Sequence, residues 1–131
     1  MIAYLIINWS NIGDNVASHY NSVGQIDSWG SKSSLIILPI IAIIVNISMS
    51  VVLICPQALN IPVKINEENY VKVYNLTRDL MNFTRTLISI LFLYITLMSA
   101  NSKSLGVWFL PACLILIFVP IVIYYIKIRK L

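Results

Sequence analysis

The feature that most constrains this chain is an uncharged apolar run, LIILPIIAIIVNISMSVVLIC, over residues 35–55. A bilayer core about 30 Å thick is crossed by roughly 20 helical residues. A second run of the same length, also without a charge, fills residues 106–126. Between them, residues 80–100 end in LISILFLYITLMSA, with Arg85 near the start. That segment is long enough to span if the arginine reaches the interface. Of the residues, 59% are hydrophobic and 11% charged. A soluble domain runs nearer half apolar and a quarter charged, so lipid is the solvent that accounts for this excess. Inside lipid the backbone must satisfy itself, which makes the spans helical.

The sequence therefore predicts an all-α integral membrane protein, a single membrane domain over 1–131 built as a bundle of three transmembrane helices. Residues 1–9, MIAYLIINW, are apolar but reach only about 14 Å as a helix, so they read as an interfacial segment or as the remnant of a fourth span. Residues 10–34 form an extramembrane loop or cap. Residues 56–79 form a connector and the start of a helix, 101–105 a tight turn, and 127–131 a tail. Residues 66–100 contain neither Gly nor Pro, and their polarity falls along the run. One continuous helix rising from water into lipid is expected there, with Asn66 as N-cap and Glu67 and Glu68 at its positive end.

The basic residues set an orientation. Lys64, Lys72, Arg78, Arg85, Lys127, Arg129 and Lys130 fall on one side, Lys32 and Lys103 on the other. The positive-inside imbalance puts the C-terminus in the cytoplasm and residues 10–34 outside, in a multi-pass protein of the cell membrane. Tyr124 and Tyr125 then lie near the inner interface, Trp108 and Phe109 near the outer one. Basic residues that flank spans imply lipid contact, not nucleic acid.

Chemistry-bearing residues gather in ASHYNSVGQIDSWGSK, residues 17–32, which hold the one His of the chain. His19, Asn21, Gly24, Asp27, Trp29 and Lys32 are the candidate recognition residues. In one reading His19 and Asp27 form a ligand contact, His being the side chain that titrates near neutral pH. In the other the stretch is a folded cap, with Gly24 and Gly30 in turns, Asn21 and Asp27 capping turns or pairing with Lys32, and Trp29 in the headgroup layer. In that cap Ser33 or Ser34 caps the span that follows. One His and one Asp do not supply the three or four ligands of a metal site. No hydrolase, zinc-protease or phosphate-loop motif occurs, so no catalytic residue and no cofactor is assigned and an enzyme is not expected. Cys55 and Cys113 lie in apolar runs and read as small hydrophobes.

Within the spans, Asn46 and Ser50 share one helical face; Arg85, Ser89, Thr96 and Ser99 share another. They read as interhelical packing or as a polar path for a substrate. Arg78 and Arg85, seven apart on one face, are candidate contacts for anionic lipid or for acidic residues of a partner.

The pattern H-Y-N-x-x-G-x-x-D-x-W-G-S-K, from His19 to Lys32, resembles the signature of the bacterial membrane family called domain of unknown function 1648, which also forms the N-terminal part of SdpI-type toxin-immunity proteins. The resemblance extends over residues 12–100. It includes P-x-x-x-N-x-P from Pro56 through Asn60 to Pro62. It also includes E-E-N-x-x-x-x-Y-x-x-x-R from Glu67 through Asn69 and Tyr74 to Arg78. Two prolines that the family places before the His are replaced here by the Ile12-Gly13 stretch and Ala17, and its full first span by nine apolar residues. The resemblance implies a binding, immunity or signal-sensing protein for an extracellular or membrane-embedded peptide, with a peptide toxin or another membrane protein as partner. SdpI-type proteins carry a second membrane domain that is not seen here. The alternative is a small transporter or an accessory subunit of a transport system. No Asp or Glu falls in the predicted spans, where a proton- or ion-coupled carrier commonly places one, and this favours binding over coupled transport.

Overall fold

The computed structural model describes residues 1–54 and 59–131. The chain runs through a short helix α1 (Ile2–Asn8), strands β1 (Asn15–Tyr20) and β2 (Ile26–Ser31), a 3-10 turn (Lys32–Ile36), and helices α2 (Ile37–Ile54), α3 (Tyr70–Ala100) and α4 (Phe109–Ile128). Three segments are long and apolar enough to cross a membrane: Lys32–Ile54, Tyr70–Ala100 and Phe109–Ile128, with mean hydropathies of 2.7, 1.6 and 2.6. The architecture is that of a helical membrane protein, as the apolar runs require.

A small two-stranded sheet accompanies the helices. Residues 15–31 form an antiparallel hairpin of two six-residue strands. Asn21 nucleates its turn: the Oδ1 accepts from the Val23 and Gln25 amides at 3.1 and 3.0 Å, and Gly24 takes a positive φ of +74°. Gly30, expected in a turn, sits instead inside β2 opposite Val16.

α3 is continuous over 31 residues, about 46 Å of helix, so roughly a third of it projects beyond a bilayer core. It starts at Tyr70, four residues later than expected. Asn66 spends its Oδ1 on the amides of Glu68 and Asn69, closing a turn that precedes the helix and takes in both glutamates. The start of α2 is likewise corrected. Ser31, not Ser33 or Ser34, caps the 3-10 turn, its Oγ accepting from the Ser33 amide at 3.4 Å. α4 begins at Phe109 and carries Pro120 in its interior. Cys55 and Pro56 lie outside the described residues; Cys113 is buried in α4.

α2 and α3 meet through side chains at matched depths. Asn46 donates to Ser89 Oγ at 2.9 Å, Arg85 to Ser50 Oγ at 3.1 Å, and Tyr74 to the Leu53 carbonyl at 3.2 Å. α4 leans on α3 through a Thr77–Tyr124 hydroxyl pair at 2.9 Å and a stack of Tyr94 on Phe109 at 5.5 Å. The tightest apolar core is not in the bundle. It lies under the hairpin, where Leu5, Ile12, Val16, Leu35 and Ala100 bury one another, with Tyr4 packed against them. α1 therefore works as a wedge holding the hairpin to the ends of α2 and α3. Large apolar residues remain exposed along α2 and α4, on the surface that lipid covers.

Candidate functional site

The hairpin is docked on one end of the bundle, and backbone and hydroxyl bonds fix it there. Ser99 on α3 donates its hydroxyl to the Ala17 carbonyl, which occupies that edge of β1. The Leu105 amide donates to the Gly24 carbonyl at 2.8 Å, and the Tyr20 hydroxyl to the Lys103 carbonyl at 3.1 Å. Gly24 meets Gly106 so closely that a Cβ would fall on the Gly106 carbonyl oxygen. Residues 10–34 and the 101–105 turn thus lie on one face of the membrane protein, as the charge pattern requires.

Two irregularities in the strand register shape the exposed face. His19 pairs with Ser28, while Ala17 pairs with Trp29 and Tyr20 with Ile26, so Ser18 and Asp27 are the extra residues. Directly paired residues share a face and their neighbours point the other way. The register on either side, Ala17 with Trp29 and Tyr20 with Ile26, would pair His19 directly with Asp27 on one face; the local slip sets His19 opposite Ser28 yet leaves its side chain beside Asp27. His19 Nδ1 and Asp27 Oδ1 lie 2.6 Å apart on side chains that are 68% and 41% exposed. A carboxylate accepts, so Nδ1 donates, and the bond fixes the orientation of the exposed ring.

The other candidates separate. Asn21 and Gly24 build the turn. Trp29 projects from β2, 57% exposed. Lys32 does not pair with Asp27: its ammonium lies 3.1 Å from Asp14 and 5.6 Å from the Trp9 ring centroid. The hairpin closes with Lys32 N–H on the Asp14 carbonyl, which carries the two residues together. Asp14 and Trp9 were not legible as site neighbours, because only the strand pairing brings them to Lys32. Tyr20 was also missed. Burial pushes its phenol above the ordinary 10.0, against a smaller opposite effect of the Ser99 hydroxyl.

Of the intramembrane residues, Asn46, Ser50, Ser89 and Arg85 form the α2–α3 contacts described above. Thr96 is buried and donates to the Phe92 carbonyl and to the Met1 sulfur. Ser99 serves the hairpin, not a second helix. Arg78 is exposed on α3. Among the described residues no group of three or more His, Cys, Asp or Glu side chains stands together.

No curated protein and no solved structure matches the chain. A family model does: the domain of unknown function DUF1648 matches residues 1–43, which comprise α1, the whole hairpin with its His19–Asp27 pair, the 3-10 turn and the first turns of α2.

Proposed function

We propose that this chain is a binding protein of the cell membrane, with the hairpin outside and the C-terminus in the cytoplasm, that recognises a secreted or membrane-embedded peptide in an immunity or signal-sensing role. The observation that carries the reading is the exposed His19–Asp27 pair, presented on a hairpin bonded to the bundle at three points. A purely structural cap needs no solvent-exposed imidazole–carboxylate pair. The polar side chains of α2 and α3 bond to each other across the helix interface, which supports binding over a polar transport path.

The test is protection. Bacterial cells expressing the chain are challenged with secreted, apolar, membrane-active peptides and survivors are counted. His19→Ala and Asp27→Ala should each abolish protection at unchanged membrane abundance. Loss of abundance in step with protection, or protection untouched by both changes, overturns the assignment. Orientation is checked in the same cells with an impermeant thiol reagent, after replacement of the native cysteines. Ser102→Cys should label and Leu131→Cys should not.

A further inference from the structure

A groove of about 660 Å³ runs along the α2–α3 interface, beginning under the N-terminal residues of α1. Its walls are apolar, with Ile43 and Ile47 on α2 and Ile90 and Leu93 on α3, and its floor is the bonded pair Asn46–Ser89. One helical turn further from the hairpin, Arg85 reaches across to Ser50. Arg85 lies about 22 Å down α3 from its Ala100 end, which is inside a bilayer core of about 30 Å.

A guanidinium at that depth is expensive unless an anion meets it. The described residues supply none. Their ion pairs are His19–Asp27 and Lys32–Asp14, both in the cap. Asp79, the acidic residue nearest in sequence, sits beside Pro120, Ile123 and Lys127, against α4. Ser50 offers a neutral oxygen only. Arg78 lies on the same face of α3 about 10 Å further from the hairpin, at the depth where headgroups begin.

We propose that this groove is a binding site for an anionic phospholipid of the leaflet away from the hairpin. Its phosphate sits between Arg85 and Arg78, and an acyl chain lies in the groove toward α1. The polarity of the site matches that of such a lipid, charged end toward the near surface and apolar end toward the bilayer centre. The guanidinium donates two N–H groups to a phosphate in the bidentate manner that a lysine does not reproduce.

The purified full chain is delipidated in detergent and titrated with phosphatidylglycerol, phosphatidylcholine or glycerol phosphate, and the retained adducts are read by native mass spectrometry. Phosphatidylglycerol should be retained over phosphatidylcholine, and glycerol phosphate not retained. Arg85→Gln should lower phosphatidylglycerol retention by about tenfold, the scale of one charge-assisted hydrogen bond. Arg85→Lys should recover part of it, and Lys130→Gln should change nothing. Ile47→Trp keeps both arginines and fills the groove; it should also lower retention, and it decides the matter if Arg85→Gln does not fold. Equal retention of the two lipids overturns the site. So does full retention in Arg85→Gln or, where that variant does not fold, in Ile47→Trp. Retention of glycerol phosphate at the level of the lipid refutes the groove's part in it.

Discussion

Replacing Gly24 with Ala tests whether the hairpin is held to the bundle by the approach of two backbones. The substitution acts twice. Gly24 holds a φ of +74°, and an L-residue there costs about 1–2 kcal/mol. The new Cβ would also fall on the Gly106 carbonyl oxygen and within 3.0 Å of Gly106 C and N, none of which is a flexible side-chain end. Relief requires the turn to lift, and the Leu105–Gly24 bond at 2.8 Å lifts with it, a further ~0.5–1.5 kcal/mol. The sum, about 1.5–3.5 kcal/mol, is roughly a 10- to 300-fold shift toward an undocked hairpin. Amide hydrogen exchange reads it directly. Residues 15–31 should lose protection by that factor while the α2–α3 interface keeps its own. Two controls separate the terms. Gly106→Ala has φ +91° but open space around its Cβ, so it should show the strain alone. Gly13→Ala, at ordinary contact distance from Asn15 O and with no positive φ, should stay within about 0.5 kcal/mol. If Gly24→Ala exchanges like Gly13→Ala, the docking argument is wrong.

Two further outcomes are expected. A double-mutant cycle of Asn46→Ala and Ser89→Ala, read by denaturant unfolding in detergent, should give a coupling of about 0.6–1.7 kcal/mol; additivity within about 0.3 kcal/mol would remove the bond from the α2–α3 interface. Burial raises the Tyr20 phenol, so the folded state favours its neutral form; that contribution is whole below pH 10.0, the ordinary value, and disappears as pH rises through the folded value. Trp9, Trp29 and Trp108 all lie at the hairpin end, so tryptophan fluorescence should report alkaline undocking, and Tyr20→Phe should abolish the part of the transition that Tyr20 contributes.

The spans were legible because a bilayer demands length and apolarity, and residues 35–55 and 106–126 show both without help from tertiary contacts. The hairpin was not. IDSWGS has neither the alternation nor the β-branched content of a strand, and no Asn-Gly turn announces it. Its strands are set by the Asn21 turn and by burial of Val16 and Ala17 against α1 and α3, contacts that lie outside the local sequence. Asn21 and Gly24 were readable as turn residues, and the nearness of His19 to Asp27 was expected from the compactness of a cap. The strand register that sets His19 across from Asp27 has no signal in the residue order. Ser99 shows the limit of periodicity from another side: spacing placed it on the packed face of α3, but which element covers that face depends on the whole chain. The resemblance behaved similarly, since its matched part ends at residue 43 and excludes the stretch from Pro56 to Arg78.

The bonds from Ser99 to Ala17 and from Tyr20 to Lys103 join residues 82 and 83 positions apart. This separation sets an order of assembly. A two-stranded hairpin alone is at best marginally stable in water, so residues 15–31 have little to hold them when they leave the ribosome. They gain their partners only after α3 has crossed the membrane and delivered its end and the following turn to the same surface. The docked hairpin is therefore completed last, although it is synthesised early. A chain interrupted before residue 105 would place α2 in the bilayer yet display no fixed His19–Asp27 pair. Display of a fixed hairpin is thereby conditional on successful insertion of α3, a form of quality control written into the topology.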